Sequence, residues 1–220
     1  LGARHGASLF STLFATFCAM LARLSGRADV VVGVPSAGQG TDDAGSLVGH
    51  CVRLLPIRAD VELARPFDEY LRDVSNRVLD ANDHAACSFG TILRELRIAR
   101  DPARPPLVSV LFNLDAAIGA TRLGLTGPTM AVASVPRHFE TFELFLNVAQ
   151  RDDGLLLECQ YNTALFDAAT VARWLSLFRE ALVRATLAPS SPLGRLVEAT
   201  PSERETLARF NATDAPFDRT

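Results

Sequence analysis

Three runs in this chain are apolar with almost no interruption: VVVGV at 30–34, LLPI at 54–57 and LVSVLF at 107–112. Such runs read as strands of a mostly buried sheet, and burying a sheet requires helices laid against it. Helical patterns of the right kind lie between and around them. Ser8 can cap a helix to about Leu24, with Leu9, Leu13, Phe17, Met20, Leu21 and Leu24 at helical spacing and Gly26 as its stop. RPFDEYLRDVSNRVLDANDHA is a second amphipathic helix, with Pro66 in its first turn and its acids early, where the macrodipole favours them. SFGTILREL is a shorter third, and FDAATVARWLSLFREALVRATL, capped by Asp167, a long fourth.

The strands are DVVVGVPSAG, SLVGHCVRLLPIR and LVSVLFNLD, then TMAVASV, FELFLNVAQ and LLLECQYN. DPARPP is a rigid connector that a helix cannot cross. RDDG joins the last two strands as a hairpin, with Asp-Gly supplying positive φ angles. Helices and strands follow one another in mixed order, which is the α/β class.

The totals bound the function. A net charge of -3 in 220 residues gives no case for nucleic acid or an acidic membrane. All 22 basic residues are arginine, so lysine Schiff-base chemistry is excluded within this chain. Cys18, Cys51, Cys87 and Cys159 lie far apart, outside any zinc spacing, and read as buried free thiols in a reducing cytosol. No signal peptide or membrane span is expected. The chain opens on Leu1 rather than Met, as a piece of something larger would.

Nucleophile elbows, phosphate loops and paired metal-binding histidines are absent from the sequence. GVPSAGQG has the wrong glycine spacing for a dinucleotide fingerprint and reads as a connecting loop. His84 suits a helix end. His50 precedes Cys51 in what reads as a buried strand, and strand neighbours point to opposite faces, so these two cannot pair. Arg53 shares a face with Cys51 and Leu55 and needs water or a carboxylate, because a buried unpaired guanidinium is costly. Asn113, Asn147 and the CQYNT run with Tyr161 and Asn162 put polar groups in or just after apolar strands. Taken singly each is a structural hydrogen bond; taken together they outline a polar-lined crevice.

At this point the motifs become specific. SLVGHCVRLLPIR resembles the Ile-Gly-Phe-Phe-Val-Asn-Thr motif of condensation domains in nonribosomal peptide synthetases, and DVVVGVPSAG the strand before it. Arg100, Asp101, Arg104, Pro106 and Leu107 match the family's Arg-Asp-x-Ser-Arg-x-Pro-Leu run, with Ala103 in the serine position. FELFLNV and LECQYNTALFDAATVARWL resemble the latch strands and final helix, and SPLGRLVEATPSERETLARFNATDAPF the linker into an adenylation domain.

The resemblance implies a chloramphenicol-acetyltransferase-like α/β fold. The chain would be one lobe, the C-terminal subdomain, of a V-shaped pair, with a mixed sheet flanked by helices. Residues 1–189 would form the lobe and 190–220 the linker towards an adenylation domain. The family's His-His-x-x-x-Asp-Gly motif is missing, so no catalytic residue is expected in this chain and the isolated fragment is expected to be inactive. By resemblance, the intact domain joins a donor acyl or peptidyl thioester to an acceptor aminoacyl thioester. Both ride on 4'-phosphopantetheine arms of carrier proteins; no cofactor or metal binds directly. The partners implied are the N-terminal lobe, carrier proteins and the adenylation domain, in the cytoplasm, in secondary-metabolite biosynthesis. His50, Arg53, Asn113, Asn147, Tyr161 and Asn162 become candidates for the substrate tunnel wall. Arg53 stands where the family has Asn, and His50 and Cys51 where it has Phe, so the alternative is a non-catalytic docking module for carrier proteins.

Overall fold

The computed structural model describes residues 1–37, 49–99, 101–116, 135 and 139–214. Helix α1 spans Leu9–Ser25; the Ser8 side chain accepts from the Ser11 amide, and Gly26 closes the helix at φ 68. Strand β1 spans Asp29–Ala37 and β2 Val52–Asp60. Helices α2 (Phe67–Asp83) and α3 (Phe89–Glu95) follow, the latter capped by Ser88. Then come β3 (Val110–Asp115), β4 (Leu144–Arg151) and β5 (Gly154–Tyr161). Helix α4 (Ala168–Leu187) starts on Asp167, whose carboxylate accepts from the Thr170 amide. Two further helices, α5 (Leu193–Leu196) and α6 (Pro201–Asn211), end the described chain.

The sheet has five strands in the order β2-β1-β3-β4-β5 and is mixed. The pairs β1–β3 and β3–β4 are parallel; β1–β2 and β4–β5 are antiparallel. Helices α1, α2 and α4 share one core with one face of this sheet. At its centre Phe112 of β3 lies 5.4 to 5.6 Å, ring to ring, from Phe10, Phe14 and Phe17 of α1. Burying aromatic rings at these distances and tilts adds specific pairing to the apolar area removed from water.

Gly33 sits where β1 meets both β2 and β3. A Cβ there would come within 2.6 to 2.8 Å of side-chain carbons of Leu111, Val108 and Leu54. A larger residue at this point of VVVGV would therefore push three neighbouring side chains aside. The connector before β3 is shaped by Asp101, which accepts from the Ala103 amide and pairs with Arg104. It ends in a tight γ-turn: Leu107 takes φ 65 and the Val108 amide donates to the Pro106 carbonyl at 2.7 Å.

Several expectations are corrected. The second strand begins at Val52, so His50 and Cys51 precede it, and His50 is exposed rather than buried. In the RDDG hairpin Gly154 takes φ 152, while Asp153 is not among the residues with positive φ. Cys18 is buried, but Cys51 and Cys159 are half-buried and Cys87 is exposed in the turn after α2. The TMAVASV strand and Arg100 lie outside the described residues, apart from Val135.

The segment after α4 is more than a polar connector at its start. The Phe67 and Asp68 amides donate to the Ser191 and Pro189 carbonyls, and the Leu193 and Gly194 amides to those of Arg65 and Leu63. Leu193, Leu196 and Val197 enter the core. Arg184 of α4 donates from one nitrogen to the carbonyls of Leu196 and Glu198 at 3.0 and 2.9 Å. Beyond this clamp α6 has no buried residue.

Candidate polar site on the sheet face opposite the helices

Alternation along β3 turns Phe112 towards α1 and its neighbour Asn113 away from it. The register sets Asn113 against Asn147 of β4, and Asn147 against Glu158 of β5. Asp115 lies two residues after Asn113, on the same face. The four side chains form one connected array. Asn113 Nδ2 donates to Asp115 Oδ1 at 2.8 Å and to Asn147 Oδ1 at 2.9 Å. Asn147 Nδ2 donates to Asp115 Oδ2 at 2.9 Å and to Glu158 Oε2 at 3.1 Å.

An amide nitrogen carries two hydrogens, so all four amide hydrogens are committed within the array. What it offers outward is acceptor oxygen, beside two carboxylates. That chemistry suits a hydrogen-bond donor or a cationic group. It contains no serine, cysteine or histidine, and its two carboxylates are held by the asparagine amides.

Of the six sequence candidates, only Asn113 and Asn147 come together. Tyr161 packs on the helix side, against the core. Asn162 organises the turn before α4: its side-chain oxygen accepts from the Ala164 amide, and its carbonyl from those of Leu165 and Phe166. His50 and Arg53 belong to the β2 edge, about 10 Å from β3 at ordinary strand spacing. Arg53 reaches towards the helix layer and donates to the Ala85 carbonyl at 2.7 Å in an exposed position. The water-or-carboxylate requirement is thus met by solvent and a backbone carbonyl.

Asp115 and Glu158 were missed as site residues. The signal for Asp115 was present, since Asn and Asp two apart on a strand share a face. Glu158 interrupts an apolar run, yet its partner depends on register. Buried Cys18 and half-buried Cys159 add no ready nucleophile: desolvation pushes the Cys18 thiol far up and that of Cys159 up to about 12.

Residues 1–208 match the model of the condensation-domain family. The chain belongs to the condensation-domain family. Its relatives are large synthetases. The condensation-family chain is 28% identical over 219 residues to the first subunit of surfactin synthase of Bacillus subtilis (strain 168), covering 99% of this chain and 6% of that protein. It is 30% identical over 223 residues to tyrocidine synthase 3 of Brevibacillus parabrevis, covering 100% of this chain and 3% of the relative. It thus spans under a tenth of either relative.

Among solved structures, the condensation domain of Monacolin K polyketide synthase superposes with a TM-score of 0.78 at 20% identity, covering 87% of this chain and 44% of that one. The X-domain of teicoplanin biosynthesis, in complex with OxyB, superposes at 0.74 with 21% identity, covering 87% of this chain and 42% of that one. These likenesses establish the chloramphenicol-acetyltransferase-like fold: a condensation-domain sheet, mixed and backed by helices.

Proposed function

We propose that this chain is the C-terminal lobe of a condensation domain in a nonribosomal peptide synthetase. The observation that carries the reading is coverage: the chain matches the family over residues 1–208 yet fills 44% of a solved condensation domain. The absence of a His-His pair from the sequence supports it, because the family's catalytic motif would then lie in the other lobe. In the intact domain the reaction is amide-bond formation between a donor acyl or peptidyl thioester and an acceptor aminoacyl thioester, both carried on phosphopantetheine arms of carrier proteins.

This lobe supplies tunnel wall, latch and carrier-docking surface. Asn113 and Asn147, with Asp115 and Glu158, are its best-organised polar wall; His50, Arg53, Tyr161 and Asn162 remain proposals for other parts of it. Residues 190–220 lead towards an adenylation domain, their first turn packed on the lobe. A cytoplasmic setting goes with this reading. No described helix is long and apolar enough to cross a membrane.

The test compares this chain alone with the same chain joined to its N-terminal lobe, each given acyl-loaded and aminoacyl-loaded carrier proteins. Mass spectrometry of the carrier-bound product is the readout. The joined domain is expected to form amide and the chain alone none. Amide formed by the chain alone, and abolished by His50→Ala, would overturn the reading. Arg53, where the family has Asn, favours a second reading, a docking module in a parent without condensation activity. A joined domain that binds both carriers yet forms no amide would select it.

A further inference from the structure

The surface between α1, α4 and α6 plays no part in the reading above. It holds a groove of about 530 Å³ whose lining includes Leu24, Leu207, Phe210, Arg23, Arg173 and Glu203. Leu207 is 54% and Phe210 71% exposed, and Leu24 at the end of α1 is 37% exposed. An apolar helix side of this kind, rimmed by charges, is the usual mark of a protein contact. A helix as short as α6 is also marginal in water without packing.

The charges narrow the partner. Glu203 serves its own helix: its Oε2 accepts from the Thr200 amide in a capping box. Arg173 donates to the Thr170 hydroxyl at 2.8 Å. Neither Arg173 nor Arg23 has an ion pair among the described residues. Arg173 also feels the Asp167 carboxylate through the shared Thr170 hydroxyl, yet two guanidinium groups against the one carboxylate of Glu203 leave the rim of this apolar trough net positive, in a chain whose net charge is -3.

We propose that this groove docks an acid-flanked apolar segment of a partner polypeptide. An apolar side chain of the partner fills the trough beside Leu207 and Phe210, and its carboxylates meet Arg23 and Arg173. Guanidinium groups take carboxylates in a bidentate fork, and a trough with satisfied rim charges is how short segments are gripped. The proposal is independent of amide formation, so it can fail while the condensation reading stands.

The test uses the 220-residue chain and three fluorescein-labelled peptides that share a Leu-Phe-Leu centre, flanked by Asp, Asn or Arg, read by fluorescence polarisation. The Asp-flanked peptide is expected to bind about tenfold or more tighter than the Arg-flanked one, with added salt weakening it. The double variant Arg23→Glu/Arg173→Glu should invert that order, and Phe210→Asp should abolish binding, with the helical circular dichroism of both variants unchanged. Equal binding of the three peptides, no binding, or an order unaffected by the double variant overturns the proposal. So does a concentration-dependent dimer lost in Phe210→Asp, which assigns the groove to a second copy. Affinity that appears only when residues 215–220 are removed assigns it to the chain's own end and also overturns the proposal.

Discussion

Asn147 reaches Asp115 across the parallel β3–β4 pair at 2.9 Å, and its second amide hydrogen goes to Glu158 at 3.1 Å. One side chain therefore joins three strands and holds two carboxylates on the same sheet face. Asn147→Leu keeps the size but leaves both acids without that donor. It is expected to lower unfolding free energy by about 1–3 kcal/mol, read from urea melts. Asn113→Ala, which still leaves Asn147 bridging the two acids, should cost less. An equal loss for both variants would show that the bridge has no special weight.

Gly33 and Gly90 separate two reasons for a glycine. At Gly33 an added Cβ meets three side chains inside 3 Å, whereas at Gly90 in α3 it meets only Ser88 Oγ, at 4.0 Å. Gly33→Ala should destabilise by about 1–3 kcal/mol through overpacking. Gly90→Ala should be neutral or stabilise by up to about 1 kcal/mol, because alanine loses less entropy in a helix. Thermal melts of the two variants should move in opposite directions.

Arg65 and Asp73 predict a pH dependence. The Arg65 guanidinium holds the Asp73 carboxyl below its usual range, and the aspartate in turn raises Arg65. A depressed folded pKa means that the stabilisation is present above the unfolded carboxyl value, about 4, and is lost as pH falls through the folded value. Asp73 is about half exposed, so solvent screening keeps the effect under about 1 kcal/mol. Asp73→Asn should be less stable than the parent at pH 7, and the gap should close as pH falls below the depressed folded value of Asp73. A gap that persisted at low pH would point to lost packing instead of lost charge.

The four thiols should react in an order set by exposure. Cys87 is exposed and Cys18 is buried, with burial raising the Cys18 thiol far above its ordinary value. A thiol-specific chromogenic reagent at pH 8 should modify Cys87 within the dead time of mixing and Cys18 only in denaturant. Cys159, pushed up to about 12, should lag behind Cys87. Early labelling of Cys18 would show that the α1 layer opens readily.

Helices α1 to α4 were legible because their signals are local. Ser8, Ser88 and Asp167 each cap within three residues of themselves, and the apolar spacing of α1 and α4 repeats within the helix. The hairpin was placed correctly, although Asp153 does not take the positive φ expected of it. Family membership was readable for the same reason, since its motifs are contiguous stretches in a fixed order.

The candidate site was only half legible. Asn113 and Asn147 stood out as amides inside apolar runs, but Tyr161 and Asn162 read the same way and lie elsewhere. Which residues share a face follows from alternation within one strand. Which residues touch across strands follows from register, set by pairings as distant in sequence as Asn113 with Asn147. Arg53 makes the same point, with a partner, Ala85, on the turn after α2. The sequence by itself determined helices α1 to α4, most of the strands and the family, through hydrogen bonds and periodicity spanning a few residues. Only the tertiary structure decided that two carboxylates join the two amides, that the start of the 190–220 segment is buried, and that α6 leaves its apolar side open. Those outcomes depend on how segments far apart in the chain pack together.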